Sequence, residues 1–386
     1  MMRSFTAKRA LIIWALAFVL AVFAILPAVG CGPSGSDVVS IATPGATEPP
    51  AENTPASVFT EQPSDEPVFT PEPQGTVPPI ISKSGSFQTY DNTNVMRVDD
   101  RAYEICYFLD EEPKLYAKLI SEAAQALNGV TNVYDLIIPT AYGVMMPDDM
   151  RGKISYYIEM GDCIEKTYSY MSPEVNTISC FDTMMLHRDE YIYFRTDHHW
   201  TALGAYYAYY EFCMKKGMTP IAPEEHRSVT FDNFLGTLYR DSGNDPELLP
   251  ADEIVAYYPI SESIKMEITS ADGSVYPGQV ITDVSNYSPV AKYNTFAGSD
   301  NPITEYTNPE VTDGSVLIII KDSFGNALIP FLVDHYSKVY EIDYRYWKGN
   351  VIELARTVNA TDLIFSNNFM MISSKSNIGK ISKIVK

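Results

Sequence analysis

The chain has 386 residues, 46% of them hydrophobic and 20% charged. That is enough to bury a full core, and the length suggests two or three units. Acidic residues outnumber basic ones 49 to 28, for a formal net charge of −21, which excludes nucleic acid and anionic lipid as main ligands because both are held by clustered Lys and Arg.

The first predicted element is an export signal. Arg3, Lys8 and Arg9 precede the apolar run "ALIIWALAFVLAVFAIL", which ends near "PAVGC". Left uncleaved, the run can span a bilayer, and the basic residues before it put the bulk of the chain outside. The residues "AVGC" resemble a bacterial lipoprotein processing site with Cys31 as the lipidated residue, with Ala28 where that pattern prefers Leu. An uncleaved anchor is the alternative. Either way, the N-terminus (1–31) tethers the protein to the outer face of the bacterial cytoplasmic membrane. Residues 32–82 are dominated by Pro, Thr, Ser, Ala and Glu, lack a basic residue before Lys83, and repeat "VFTEQP" as "VFTPEP". Such a segment buries too little apolar surface to offset its ordering entropy, so it reads as an extended, disordered spacer.

The folded part, 83–386, alternates helix and strand. The stretch "PKLYAKLISEAAQALNG" (113–129) has helical apolar spacing and stops at Gly129. "NVYDLIIPT" (132–140) reads as a buried strand ended by Pro139, and "EVNTISCFDTM" (174–184) as a second strand. "TALGAYYAYYEFCMKKG" (201–217) is a helix with Thr201 as N-cap, Gly217 as stop and two lysines in its last turn. Residues 218–310, rich in Pro, Asp, Asn and Ser, read as an irregular insertion. Then "SVLIIIKDSFGNALIPFLVDHY" (315–336) is strand, turn and helix; "KVYEIDYRYW" (338–347) is a strand, "NVIELARTVN" (350–359) a helix and "TDLIFSNNF" (361–369) a strand. This pattern predicts an α/β fold: a parallel sheet with helices on both faces and its site at the carboxyl ends of the strands. Cys106, Cys163, Cys180 and Cys213 are an even set, which permits disulfides in an exported protein. Their wide spacing, without a CxxC, equally suits free thiols and does not resemble a zinc site.

Two segments carry candidate chemistry. In "YFRTDHHWTALGAYYAYY" (193–210) an Asp, two of the chain's five His and a Trp are consecutive. If the segment is extended, Asp197 and His199 project to one side and His198 to the other. A carboxylate so placed fixes the imidazole tautomer and stabilises the imidazolium. The same residues would otherwise make a structural turn or a metal site. In "LIIIKDSFGNAL" a strand runs straight into Ser323, and the amides of Ser323, Phe324 and Gly325 would face an oxyanion at a helix N-terminus, with Gly325 leaving room for substrate. Ser and Asp there are also ordinary helix N-caps. A serine nucleophile needs a base held by a third group, so the two segments together suggest a Ser323–His199–Asp197 triad with no metal or cofactor.

Together, "YIYFRTDHHWTALGAYYAY" (191–209) and "IIIKDSFGNALIPFL" (318–332) resemble the DHHW protein family of bacterial exported proteins. That family is similar to the alginate O-acetyltransferases, whose fold is SGNH-hydrolase-like (flavodoxin-like). The resemblance spans about 90–370, and "RTDHHWTAL" is its most specific motif. Those enzymes carry a permuted order, Asp-x-His early and Ser late. Asp197-His198-His199 matches the first element, and Asp322-Ser323 the second, with Lys321 where the pattern has Gly. Oxyanion or substrate contacts then fall near Gly325, Asn326, Arg345, Asn367 and Asn368, with His198 touching substrate or backbone and Trp200 packing beneath the site. The resemblance implies an extracytoplasmic serine-dependent O-acyltransferase or acetylesterase acting on a cell-surface polysaccharide. A membrane-bound O-acyltransferase would supply the acetyl group. A non-catalytic cell-surface carbohydrate-binding protein of the same fold is the alternative, for which Lys321 is the best support. A metal-dependent phosphoesterase is a third reading, since a manganese family also carries Asp-His-His, but the further Asp ligands it needs have no matching segment.

Overall fold

Two strands of the main sheet are buried along their whole length, Val316–Lys321 and Asp362–Asn368, as expected of parallel strands covered on both faces. They lie at the centre of a computed structural model that describes residues 85–386. The predicted signal segment with Cys31 (1–31) and the predicted linker (32–82) lie outside the described residues. Among the described residues, no helix is long and apolar enough to cross a membrane.

In chain order the strands are β1 (Phe87–Thr89), β2 (Val95–Val98), β3 (Arg101–Glu104), β4 (Asn132–Ile138), β5 (Val175–Ile178), β6 (Ser228–Phe234), β7 (Asp252–Tyr257), β8 (Lys265–Thr269), β9 (Val275–Pro277), β10 (Ile303–Thr307), β11 (Val316–Lys321), β12 (Lys338–Asp343) and β13 (Asp362–Asn368). The longer helices are α1 (Glu111–Leu127), α2 (Met160–Tyr168), α3 (Ala202–Lys216), α4 (Val351–Thr357) and α5 (Lys375–Val385). The main sheet has the order β5-β4-β13-β11-β12-β10-β8-β9. From β5 to β12 the pairing is parallel; β10, β8 and β9 continue the sheet antiparallel. Adjacent residues of β4 show that both faces are covered. Tyr134 meets Phe212 of α3 edge-on, whereas Asp135 accepts a hydrogen bond from Tyr116 of α1, and neighbours in a strand point to opposite faces. Helices α4 and α5 pack beside α1.

The helix α3 follows the expectation closely: Thr201 Oγ1 accepts from the Gly204 amide, Gly217 takes a left-handed φ of 77°, and Lys215 and Lys216 lie in the last turn. Elsewhere the structure departs from the sequence pattern. The segment 218–310 is not merely irregular: it carries β6 to β10, three of which extend the main sheet. "EVNTISCFDTM" is a strand only to Ile178, where pairing with β4 ends, and Phe181–Leu186 is helical. After Ser323 there is no long helix but a 3-10 turn (Ser323–Ala327) and one α-turn (Ile329–Leu332). Gly325 and Pro330 in that run are poor helix-interior residues. The antiparallel β1–β3 sheet and α5 had no counterpart in the sequence reading. All four described cysteines are free thiols, and burial pushes Cys213 up to about 12.

Candidate active site

The Asp-His-His-Trp segment is bent, not extended. An isolated bridge between Tyr193 and Trp200 closes it into a loop, and the Asp197 carboxylate turns back to accept from the His199 amide at 3.0 Å. The His198 ring therefore lies beside that of His199, with centroids 3.9 Å apart, instead of on the opposite side. Trp200 is fully buried and donates through Nε1 to the Phe324 carbonyl at 2.9 Å, tying the loop to the turn that carries Ser323.

That turn follows directly from β11. Asp322 caps it, accepting from the Phe324 amide at 2.9 Å through Oδ1. Its Oδ2 accepts from the backbone and side-chain nitrogens of Asn368, at 2.8 and 2.9 Å. The ends of two neighbouring parallel strands are thus stapled together, and Ser323 is held at the carboxyl edge of the sheet, where α/β folds build their sites. Burial pushes the Asp322 carboxyl up to about 6 against the lowering effect of these hydrogen bonds.

Three side chains from the two segments line up. Asp197 Oδ1 lies 2.6 Å from His199 Nδ1, and His199 Nε2 lies 2.7 Å from Ser323 Oγ. Asp197 and His199 are 2% and 6% exposed, so these bonds are shielded from water. Burial works to raise the Asp197 carboxyl, but His198, His199 and the hydrogen bond from the Thr237 amide outweigh it and hold it well below the usual carboxylate range. An ionised carboxylate only accepts. The hydrogen between Asp197 and His199 therefore sits on Nδ1, and Nε2 offers its lone pair to the Ser323 hydroxyl. This arrangement can take a proton from an attacking serine and return it to a leaving group.

The insertion supplies the rest of the cradle. Tyr293 stacks on His199 with centroids 3.8 Å apart and planes 8° from parallel, and its hydroxyl donates to the Ser323 carbonyl at 3.1 Å. Thr237 donates to Asp197 Oδ2 from its amide at 2.8 Å and its hydroxyl at 3.1 Å. A β-carbon on Gly236 would lie 2.2 Å from Asp197 Cβ, so only glycine fits there. Sequence reasoning found none of these three, because periodicity does not reveal which residue of an insertion folds back onto a distant loop.

The other predicted site residues are placed differently. The Gly325 amide donates to the Asp322 carbonyl at 3.1 Å and the Phe324 amide is taken by Asp322 Oδ1, so neither is free for an oxyanion. The room beside Gly325 is filled by Lys321, whose Cβ would lie 2.6 Å from a β-carbon at 325. Asn326 accepts from Lys321 and donates to Asp300 at 3.1 Å. Arg345 is paired with Asp343 at 2.5 Å and with Asp300 at 2.9 Å. Asn367 is fully buried and donates to the Tyr116 hydroxyl on the α1 face. Of the two strand-end asparagines, Asn368 is the one tied to the nucleophile turn, with one Nδ2 hydrogen committed to Asp322. Among the described residues, the Ser323 amide has no backbone hydrogen-bond acceptor.

His198 Nδ1 lies 2.6 Å from the Thr237 hydroxyl. Potential ligand atoms of Asp197, His198 and His199 all fall within 4.8 Å of one another. Asp197 Oδ1 and both imidazole Nδ1 atoms already have hydrogen-bond partners, so a metal ion there would have to displace them or use the Nε2 atoms.

The model of the DHHW protein family matches residues 71–342. The search of curated proteins finds no match. Among solved structures, a DHHW family protein from Eubacterium siraeum DSM 15702 is similar, with a TM-score of 0.70 at 23% identity over 80% of this chain and 100% of that one. Bacillus cereus PatB1 with a sulfonyl adduct has a TM-score of 0.62 at 16% identity, over 76% of this chain and 98% of PatB1. The fold is the SGNH-hydrolase-like α/β arrangement, with a large, mostly parallel sheet.

Proposed function

The chain belongs to the DHHW protein family, and from that premise we propose that it is a serine-dependent O-acyltransferase or acetylesterase acting on a cell-surface polysaccharide. The observation that carries this reading is the hydrogen-bonded line Asp197–His199–Ser323, at 2.6 and 2.7 Å. Ser323 Oγ attacks an ester carbonyl as His199 Nε2 takes its proton, and Asp197 stabilises the imidazolium. The Ser323 amide and the second Nδ2 hydrogen of Asn368 are the donors for the oxyanion. Collapse expels the alcohol, which leaves with the His199 proton, and Ser323 is acetylated. A sugar hydroxyl or water then gives its proton to His199 and attacks the acetyl carbon, and Ser323 Oγ departs with that proton. Export, a membrane tether through residues 1–31 with or without lipidated Cys31, and a membrane-bound O-acyltransferase as acetyl donor complete the proposal; they rest on the sequence pattern and the family resemblance.

PatB1 is known with a sulfonyl adduct, and the same reagent class tests this chain. The full chain is treated with a phenylmethyl sulfonyl fluoride and read by intact mass and peptide mapping. One adduct on Ser323, absent from Ser323→Ala and His199→Ala, is the expected result. An unmodified Ser323 in a folded protein would count against an activated nucleophile and favour the non-catalytic binding protein.

A further inference from the structure

Asp197 orients two histidines, not one. Its Oδ1 takes the Nδ1 hydrogen of His199 directly. Its Oδ2 accepts from the Thr237 hydroxyl at 3.1 Å, and that hydroxyl lies 2.6 Å from His198 Nδ1. A hydroxyl has one hydrogen to give. With that hydrogen committed to the ionised carboxylate, Thr237 Oγ1 can only accept from His198, so His198 Nδ1 carries a hydrogen and its Nε2 is left with a lone pair. Burial, together with the neighbouring His199, lowers the His198 pKa and favours this neutral form.

His198 and Thr237 line an open cleft of about 590 Å³ with Asn92, Asn94, Glu104 and Asp241. The His198 side chain is 27% exposed there, and among the described residues its Nε2 makes no hydrogen bond and is not a buried orphan. The cleft's lining is mixed: amides from the loop before β2, a carboxylate at the end of β3, and Asp241 paired with Arg240 at 2.8 Å stand beside the apolar Val95 and Leu238. Its wall at His198 touches the His199 ring, which in turn contacts Ser323.

Resting on the acyl-transfer reading above, we propose that this cleft is the binding site for the acyl acceptor, a neutral polyhydroxylated sugar chain. His198 Nε2 accepts a hydrogen bond from one sugar hydroxyl while a neighbouring hydroxyl is presented to His199 Nε2 and the acetyl group on Ser323. Neutral sugars offer closely spaced hydroxyls, each both donor and acceptor, which match a wall of amides, carboxylates and an imidazole lone pair. Two carboxylates against one guanidinium leave the cleft with a negative balance, which disfavours a polyuronate through like-charge repulsion. The role of His198 is to hold the acceptor, so its loss shifts delivery of acetyl from sugar to water.

The test uses the full chain, p-nitrophenyl acetate as acyl donor, and two acceptors, a fully N-acetylated, neutral chito-oligosaccharide and an oligogalacturonate. For each protein, the ratio of acetyl delivered to sugar against acetyl delivered to water is measured by mass spectrometry. In the wild type, transfer to the neutral oligosaccharide is expected to saturate and to exceed transfer to the oligouronate at least about tenfold, roughly the effect of one charged contact. His198→Ala and the milder His198→Gln should each lower the sugar-to-water ratio at least about tenfold, with sulfonyl labelling of Ser323 in the variants reporting a folded site. A ratio unchanged by both variants would overturn the inference, as would preference for the oligouronate. An acetylated enzyme that hydrolyses but transfers to no neutral oligosaccharide overturns it too. Failure of wild-type Ser323 to become acetylated or sulfonylated strikes instead at the acyl-transfer reading on which it rests.

Discussion

At the residue scale, the candidate site depends on one carboxylate whose two oxygens have different tasks. In Asp197→Asn the side chain keeps its shape, but its amide can donate to His199 Nδ1 and so stabilise the wrong tautomer. Ser323 sulfonylation is expected to slow by roughly four orders of magnitude with little change in fold; a loss below tenfold would show that Asp197 does not set the tautomer. Gly236 is the steric counterpart. Its φ is ordinary, so the cost of Gly236→Ala is contact alone: the new methyl would meet Asp197 Cβ at 2.2 Å and Oδ2 at 2.3 Å. Displacing that carboxylate is expected to reduce labelling about 100-fold, measured as the second-order rate of inactivation, while circular dichroism stays native.

At the scale of elements, the sheet carries a buried polar knot on the face covered by α1. Tyr116 of α1 donates to Asp135 of β4 at 2.5 Å, and Asn367 of β13 donates to the Tyr116 hydroxyl at 3.1 Å. Burial raises the Asp135 carboxyl to about 8, against the lowering hydrogen bond from Tyr116. Between the ordinary value of 3.8 and about 8, the folded chain keeps a proton that the unfolded chain has lost. Stability from this group is therefore full below about 4 and falls as pH rises to about 8, by at most about 1.4 kcal/mol per pH unit. Asp135→Asn lacks that dependence; in the wild type Asp135 Oδ2 is buried without a partner among the described residues. Urea midpoints from pH 5 to 8 should show the variant gaining on the wild type as pH rises; a constant difference would mean that Asp135 is ionised in the fold. The sequence showed Asn367 at a strand end and suggested the site. Strand register decides otherwise: Asn367 pairs with Ile137 in a β13 whose alternate residues face α1, and a period of two sends neighbouring residues to opposite faces.

At the scale of the whole molecule, the parallel sheet and the insertion are joined through a buried ion cluster beside the nucleophile turn. Lys321 of β11 is fully buried and lies 3.0 Å from Glu341 and 3.8 Å from Asp343, both of β12, and 3.4 Å from Asp300. Tyr306 of β10, a strand that pairs antiparallel with β12, donates to Glu341 at 2.6 Å. The lysine that departs from the usual Gly-Asp-Ser pattern thus has a structural role, with its stem packed against Gly325. Lys321→Met leaves buried carboxylates without their cation and is expected to lower stability by about 3–5 kcal/mol. Urea unfolding measures this, and Lys321→Met with Glu341→Gln should recover part of the loss. Equal midpoints for wild type and Lys321→Met would mean that the cluster is hydrated in solution. What the sequence determined by itself is whatever local periodicity and a short motif encode: alternating helices and parallel strands, the caps of α3, the placing of Ser323 at the end of a buried strand, and the pairing of Asp-His-His with a distant Ser as a triad candidate. Only the tertiary structure decided the bend that brings Asp197 onto His199, the Tyr293, Thr237 and Gly236 contacts from the insertion, and the engagement of Gly325, Asn326, Arg345 and Asn367 with other partners. Those depend on which side chains meet after the chain has closed on itself, and side-chain spacing along the sequence carries information about a neighbour a turn or a strand away, not about one 40 or 120 residues distant.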